Sequence, residues 1–140
     1  MIMDKELEFS LEQAETTQAA HDSTNIIDLG AAGDAYGQEL YFQCFVDGEA
    51  FGSGGSATLQ VKLITDSAIG FATAPVTLYD SGAIAVAALD DLYEFGNKLR
   101  IPKGVKRFLK VTYTIGTTTM DAGKITARLV KEHQTNEANV

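Results

Sequence analysis

What most limits the folds open to this chain is a period of two in its apolar residues. In ELEFSLE, Leu7, Phe9 and Leu11 alternate with Glu6, Glu8, Ser10 and Glu12, the pattern of a strand with one wet face. A helical reading through Leu7, Leu11 and Ala14 would leave Phe9 on the wrong side. The alternation returns over Glu39–Val46, Thr58–Thr65, Phe108–Ile115 and Lys124–Val130, with shorter stretches at Thr24–Leu29, Val76–Tyr79, Ala83–Leu89 and Lys98–Ile101. Asp80-Ser81-Gly82 and Pro102-Lys103-Gly104 sit between such stretches as turn signals. Strand patterns recurring at intervals of roughly ten to fifteen residues belong to a sandwich or barrel. The expectation is an all-β fold, an eight-stranded antiparallel jelly-roll sandwich with an extended N-terminal arm. Residues 1–23 are expected to form the arm, with one augmenting strand and the patternless linker QAETTQAAHDS; 24–131 form the domain and 132–140 a polar tail.

The size permits one core: 140 residues, 45% hydrophobic and 21% charged. The net charge of -8 argues against nucleic-acid binding, which needs a basic surface to displace counterions. The acidic start MIMDKELEF does not look like a signal peptide, and no apolar run is long enough to span a membrane, so synthesis in a cytoplasm is expected. Charge is unevenly placed. Lys98, Arg100, Lys103, Lys106, Arg107, Lys110, Lys124, Arg128 and Lys131 crowd the last third, with Asp121 the sole acid between Lys98 and Lys131, whereas Asp4, Glu6, Glu8, Glu12, Glu15 and Asp22 dominate the start. Such polarity can orient a protein on a charged partner.

Signals for chemistry are weak, and neither catalysis nor a cofactor is expected. His21 and His133 lie in the two terminal segments, where they cannot grip a metal from neighbouring strands. Cys44 alternates in phase with Leu40, Phe42 and Val46, which reads as a core thiol rather than a nucleophile. Asp90, Asp91 and Glu94 form a close acidic cluster without the spacing of a calcium loop, and read as a solvated loop. The glycines of GSGGS precede ATLQVKLIT, a β pattern; phosphate loops need a helix N-terminus at that place, so this is a connection.

Four stretches, EFSLEQAETTQAAHDSTNIIDLG, FGSGGSATLQVKLITDS, TLYDSGAIAVAAL and LRIPKGVKRFLKVTYTIGTTTMDAGKITARLV, follow one another in an order that resembles a family of tailed-phage capsid cement, or decoration, proteins. The resemblance runs from about Lys5 to Val130 and implies a jelly roll on the outer surface of an HK97-like capsid. The implied function is to clamp the major capsid protein within the virion, without an enzymatic, nucleic-acid or membrane role. On that basis Leu7, Phe9 and Leu11 are expected to grip a sheet edge on another subunit, and Lys103, Lys106, Arg107 and Lys110 to meet acids on the shell or on a second copy. A two-fold dimer is the first expectation for self-association and a trimer the second. The alternative is a receptor- or glycan-binding module with Tyr36, Tyr79 or Tyr93 bordering its site.

Overall fold

The computed structural model describes residues 8–29, 40–53, 55–101 and 105–130. Ten strands lie within them: β1 (Glu8–Ala14), β2 (Ala20–Asp22), β3 (Ile27–Asp28), β4 (Tyr41–Val46), β5 (Thr58–Asp66), β6 (Val76–Asp80), β7 (Ile84–Ala85), β8 (Glu94–Arg100), β9 (Phe108–Gly116) and β10 (Lys124–Val130). There is no α-helix among the described residues, only a 3-10 turn at Val86–Ala88. All pairings are antiparallel. One sheet runs β1-β10-β4-β8; the other runs β2-β9-β5-β6, with β3 also on β9 and β7 also on β5. The two sheets form a sandwich, as the alternating pattern requires when each has one apolar face to bury.

The frame of the second sheet is the β5–β9 ladder, which holds register without a slip from Thr58↔Gly116 to Asp66↔Phe108. Its inward side chains, Leu59, Val61, Leu63, Leu109, Val111, Tyr113 and Ile115, are buried, while Gln60, Lys62, Lys110, Thr112 and Thr114 are half-buried on the outer face. Strands β4 and β10 depart from the expected alternation. Leu40, Phe42, Cys44 and Val46 face the core, yet Gln43, Phe45, Thr126 and Arg128 are buried as well. Arg128 Nε donates to Gln43 Oε1 at 2.9 Å, and its guanidinium lies 5.2 Å from the Phe45 ring centroid.

The N-terminal segment differs most from expectation. Its strand forms, but β1 pairs with β10 of its own chain, from Glu8↔Arg128 to Ala14↔Lys124. Phe9 is fully buried, with its ring edge-on to Phe42 at a centroid distance of 6.0 Å. The stretch read as a linker contains β2, which pairs with β9 through Ala20↔Thr114 and Asp22↔Thr112. Three residues are too few to display a period, and side-chain hydrogen bonds stand in for an apolar face. Residues 8–29 thus contribute strands to both sheets. Leu7, Lys103 and the tail 132–140 lie outside the described residues.

Other differences have local causes. β8 begins at Glu94, earlier than its pattern shows, because a bulge places Phe42↔Leu99 and Cys44↔Phe95 on either side of Gly96 at φ +60. The bulge breaks the period of two that would have revealed the strand. The Ala83–Leu89 stretch keeps only β7 before turning through Val86–Ala88 to bury Leu89. The glycine-rich loop is a connection, as expected. It lies against the β9–β10 turn: Gly52 N–H donates to Ala122 O, Asp121 N–H donates to Gly52 O, and the Phe51 ring fills the place a Cβ on Gly123 would take.

Two stability measurements check this packing. Phe9→Ala should lower the unfolding free energy by about 3–5 kcal/mol, read as a lower urea midpoint at unchanged slope; a negligible loss would remove β1 from the folded unit. Gly123→Ala should cost roughly 1–3 kcal/mol or more from overpacking, since the new Cβ would meet Phe51 Cδ1 at 2.1 Å with φ at +147. Gly52→Ala, with nothing within 4 Å of the added carbon, is the neutral comparison.

Candidate interaction surface

The strand order brings the acids of the first segment beside the bases of the last third. Because β3 and β2 both lie along β9, Asp28 meets Arg107 and Asp22 meets Lys110. Arg107 Nε and Nη2 donate to Asp28 Oδ1 and Oδ2 at 2.8 and 3.0 Å, a forked pair that holds the guanidinium pKa above its ordinary value. Lys110 Nζ lies 3.2 Å from the Asp22 carboxylate and 4.6 Å from the Phe71 ring centroid. Lys106 Nζ donates to the Ala74 carbonyl. Three of the four expected docking cations therefore have partners within their own chain. Exposed pairs add little to stability, and their effect here is to neutralise the band beside β9.

A second polar group joins the two sheets. Tyr113, buried on β9, donates its hydroxyl to Ser10 Oγ at 2.9 Å, and Ser10 Oγ donates to Gln13 Oε1 at 2.6 Å. The Gln13 amide is saturated. Its oxygen also accepts from Thr24 N–H and Oγ1, and its nitrogen donates to Glu15 Oε1 and the Asp22 carbonyl. Glu15 is buried at 3% exposure, with its other oxygen 2.7 Å from His21 Nδ1. Burial pushes the Tyr113 hydroxyl well above the usual tyrosine range. This chain of side chains fastens β1 to β2 and both to the core. No periodicity could have announced it, because its members matter by position in space.

A third device shapes the loop after β5. Burial would raise the pKa of the Asp66 carboxyl, but amide donors from Ser67, Ala74, Thr73 and Ala68 outweigh that effect and hold it below the ordinary value. The carboxylate thereby fixes a loop that exposes Ile69 at 64%, and Val76, at the start of β6, is 45% exposed. Leu92 is also exposed, at 51%, with φ +68 in the turn that carries Asp90 and Asp91. Leu11 is half exposed on β1, two residues from the buried Phe9. Among the three apolar residues expected to grip a partner, it is the one the described structure leaves accessible.

The free edges do not favour strand addition. β1 carries two register shifts, β8 and β6 one each, and β2 and β3 are only three and two residues long. Bulges and short strands are the usual means of blunting an edge. The strand expected to grip a partner's sheet edge, β1, is paired with β10 of its own chain.

The remaining candidates fall as follows. Cys44 is buried, and burial, then Glu94, pushes its thiol well above the usual range, the opposite of an activated nucleophile. Tyr79 packs on Phe42 and beside Gly96, and Tyr93 stacks edge-on to Phe95 at 5.0 Å. Tyr36 and His133 lie outside the described residues. Asp90 and Asp91 are exposed, as a solvated loop requires. No cluster of three or more histidine, cysteine or acidic side chains among the described residues is arranged to hold a metal, and no described helix is long and apolar enough to cross a membrane.

Comparison with known proteins places residues 9–129 in a match to the family described as Bbp16. No curated protein matches the chain.

The Asp66 loop makes a pH-dependent prediction. A carboxylate with a depressed folded pKa contributes stability that is full above the unfolded aspartate value, about 4, and lost as pH falls through the lower folded value. The Thr73 and Ala74 amides should lose their exchange protection and shift in the NMR spectrum in that acid window. Asp66→Asn should show the loosened loop already at neutral pH; native protection in that variant would contradict the assignment.

Proposed function

Starting from the premise that the chain belongs to the Bbp16 family, we propose that it is a structural virion protein that cements the outer surface of a tailed-phage capsid. In this reading it strengthens contacts between major capsid protein subunits and catalyses nothing. The ordered resemblance of its four segments to cement proteins motivates the role. The observation that carries it is the internal pairing of its polar groups: Asp28 and Asp22 close on Arg107 and Lys110, and every buried side-chain polar atom among the described residues has a partner. A clip that must hold its shape under load needs such a self-satisfied frame with contact residues at its margins.

We read the sandwich as a jelly roll. If β2 with β3, and β6 with β7, each count as one interrupted strand, eight strands remain. Their spatial order, from the pairings, is first-eighth-third-sixth in one sheet and second-seventh-fourth-fifth in the other. That is the wrap of two Greek keys. Self-association, as a dimer or a trimer, belongs to the same proposal. Several weak contacts on a lattice reinforce one another through high effective concentration, so no single contact need be strong.

The deciding experiment mixes the purified protein with empty shells of its own phage and counts bound copies per shell. Saturation at a fixed ratio, with shells that then resist heat or shear, is the expected result; absence of binding at micromolar concentrations would refute the role. Leu11→Asp should weaken binding about tenfold or more while leaving the melting temperature nearly unchanged. A variant that binds normally would remove β1 from the contact.

A further inference from the structure

We infer that the loop joining β5 to β6 is a preformed plug that seats Ile69 in an apolar socket, with a carboxylate at its rim, on the shell protein. The inference rests on the cement reading and deepens it, naming the docking element and the chemistry that receives it. The loop sequence SAIGFATAP, residues 67–75, carries no charged side chain. Ile69 is the most exposed large hydrophobic among the described residues, at 64%, and takes no part in the core. It stands at the head of a turn. Phe71 N–H donates to Ala68 O at 3.0 Å, which makes Ile69 and Gly70 the two central residues.

The loop is fastened at three places. The buried Asp66 carboxylate accepts from Ser67 N–H at 2.6 Å, and from Thr73 N–H and Ala74 N–H at 3.1 and 3.3 Å, so one group ties both feet. Lys106 Nζ donates to Ala74 O, while the Lys106 N–H donates to the hydroxyl of the buried Thr65 at 3.0 Å. Lys110 Nζ lies 4.6 Å from the Phe71 ring centroid, and Phe71 holds φ +52, a backbone state that a residue other than glycine keeps only where its surroundings impose it. Side chains of β5 and β9, the strands of the longest ladder, thus set the position of the turn.

A tip held in this way has already lost its conformational freedom before a partner arrives, and contacts made by such a tip bind more tightly for that reason. The attraction comes from taking the Ile69 side chain out of water. The charge of the socket follows from Lys106. Arg107 and Lys110 are answered by Asp28 and Asp22, whereas the Lys106 ammonium rests on a neutral carbonyl, with no acid among the described residues in ion-pair contact. An acid at the rim of the socket completes that pair on docking. A second copy fits this place poorly, because a two-fold contact through the loop would set one Lys106 beside the other.

Binding of the full chain to empty shells, followed as copies bound against free concentration, tests the plug, with urea midpoints and sedimentation measured for every variant. Ile69→Asp should keep the native midpoint and lose affinity about tenfold or more, and Ile69→Val should lose far less. Asp66→Asn, which keeps Ile69 but loosens the loop, should weaken binding about threefold or more under conditions where it is fully folded. Lys106→Gln keeps a donor for Ala74, removes the charge, and should flatten the dependence of affinity on salt. Native affinity in Ile69→Asp would overturn the plug, and a change in its sedimentation alone would reassign the loop to a contact between copies. Native affinity in Asp66→Asn would overturn the role of the fixed loop, and an unchanged salt response in Lys106→Gln would strike the carboxylate from the socket. A native chain that ignores shells would overturn the cement reading, and the plug with it; a native chain that binds leaves the variants to judge the plug alone.

Discussion

The pairing of β5 with β9 is the constraint on which the rest of the molecule hangs. It is the longest uninterrupted register among the described residues, and it places one continuous apolar face, from Leu59 and Leu63 to Val111 and Ile115, toward the other sheet. β2, β3, β6 and β7 are short because they need only extend this frame. The first sheet answers with Phe9, Phe42, Phe95 and Ile125, all but sealed from water. Rings from both sheets meet in the middle, with Phe42 between Phe9 and Tyr79 at centroid distances of 6.0 Å on each side. Burial of such aromatic surface is the main source of the free energy that offsets ordering the chain.

Around that frame, polar interactions decide position rather than stability. Tyr113 reaches across to Ser10, Asp66 collects the amides of its loop, and Arg128 lies on Phe45 with Gln43 at its nitrogen. Each is a buried group that would cost free energy if left without a partner, so each tolerates few alternative arrangements. Among the described loops, the one after β5 is held by the Asp66 carboxylate. For a protein proposed to sit on a capsid lattice, this means that small exposed features such as Ile69, Leu11 and Leu92 are presented at defined places.

Legibility of the fold tracked burial on one face. β5 and β9 could be delimited almost to the residue, because a strand with one dry side writes its geometry into the period of its apolar residues; β10 could as well, because Ile125, Ala127 and Leu129 alternate with Thr126 and Arg128 although these are buried too. β2 could not, since AHD carries no apolar pattern, and β8 was shortened by the bulge at Gly96. The docking residues were less legible still. Phe9 and Leu11 share one alternating stretch, yet the register shift between Ser10 and Gln13 separates a core ring from a half-exposed leucine. Arg107 and Lys110 looked like unpaired charge along the chain, and their partners lie 79 and 88 residues away.

By itself the sequence determined the all-β class of fold, the burial of Cys44 and the role of GSGGS as a connection. These follow from periodicity and from short-range backbone geometry, which act over a few residues. Only the tertiary structure decided that Asp22 and Asp28 pair with Lys110 and Arg107, that the N-terminal strand is part of its own sheet, and that Glu15 is enclosed beside His21. Those outcomes depend on which strands become neighbours, and strand order is settled by the packing of two whole sheets, to which no local pattern gives access.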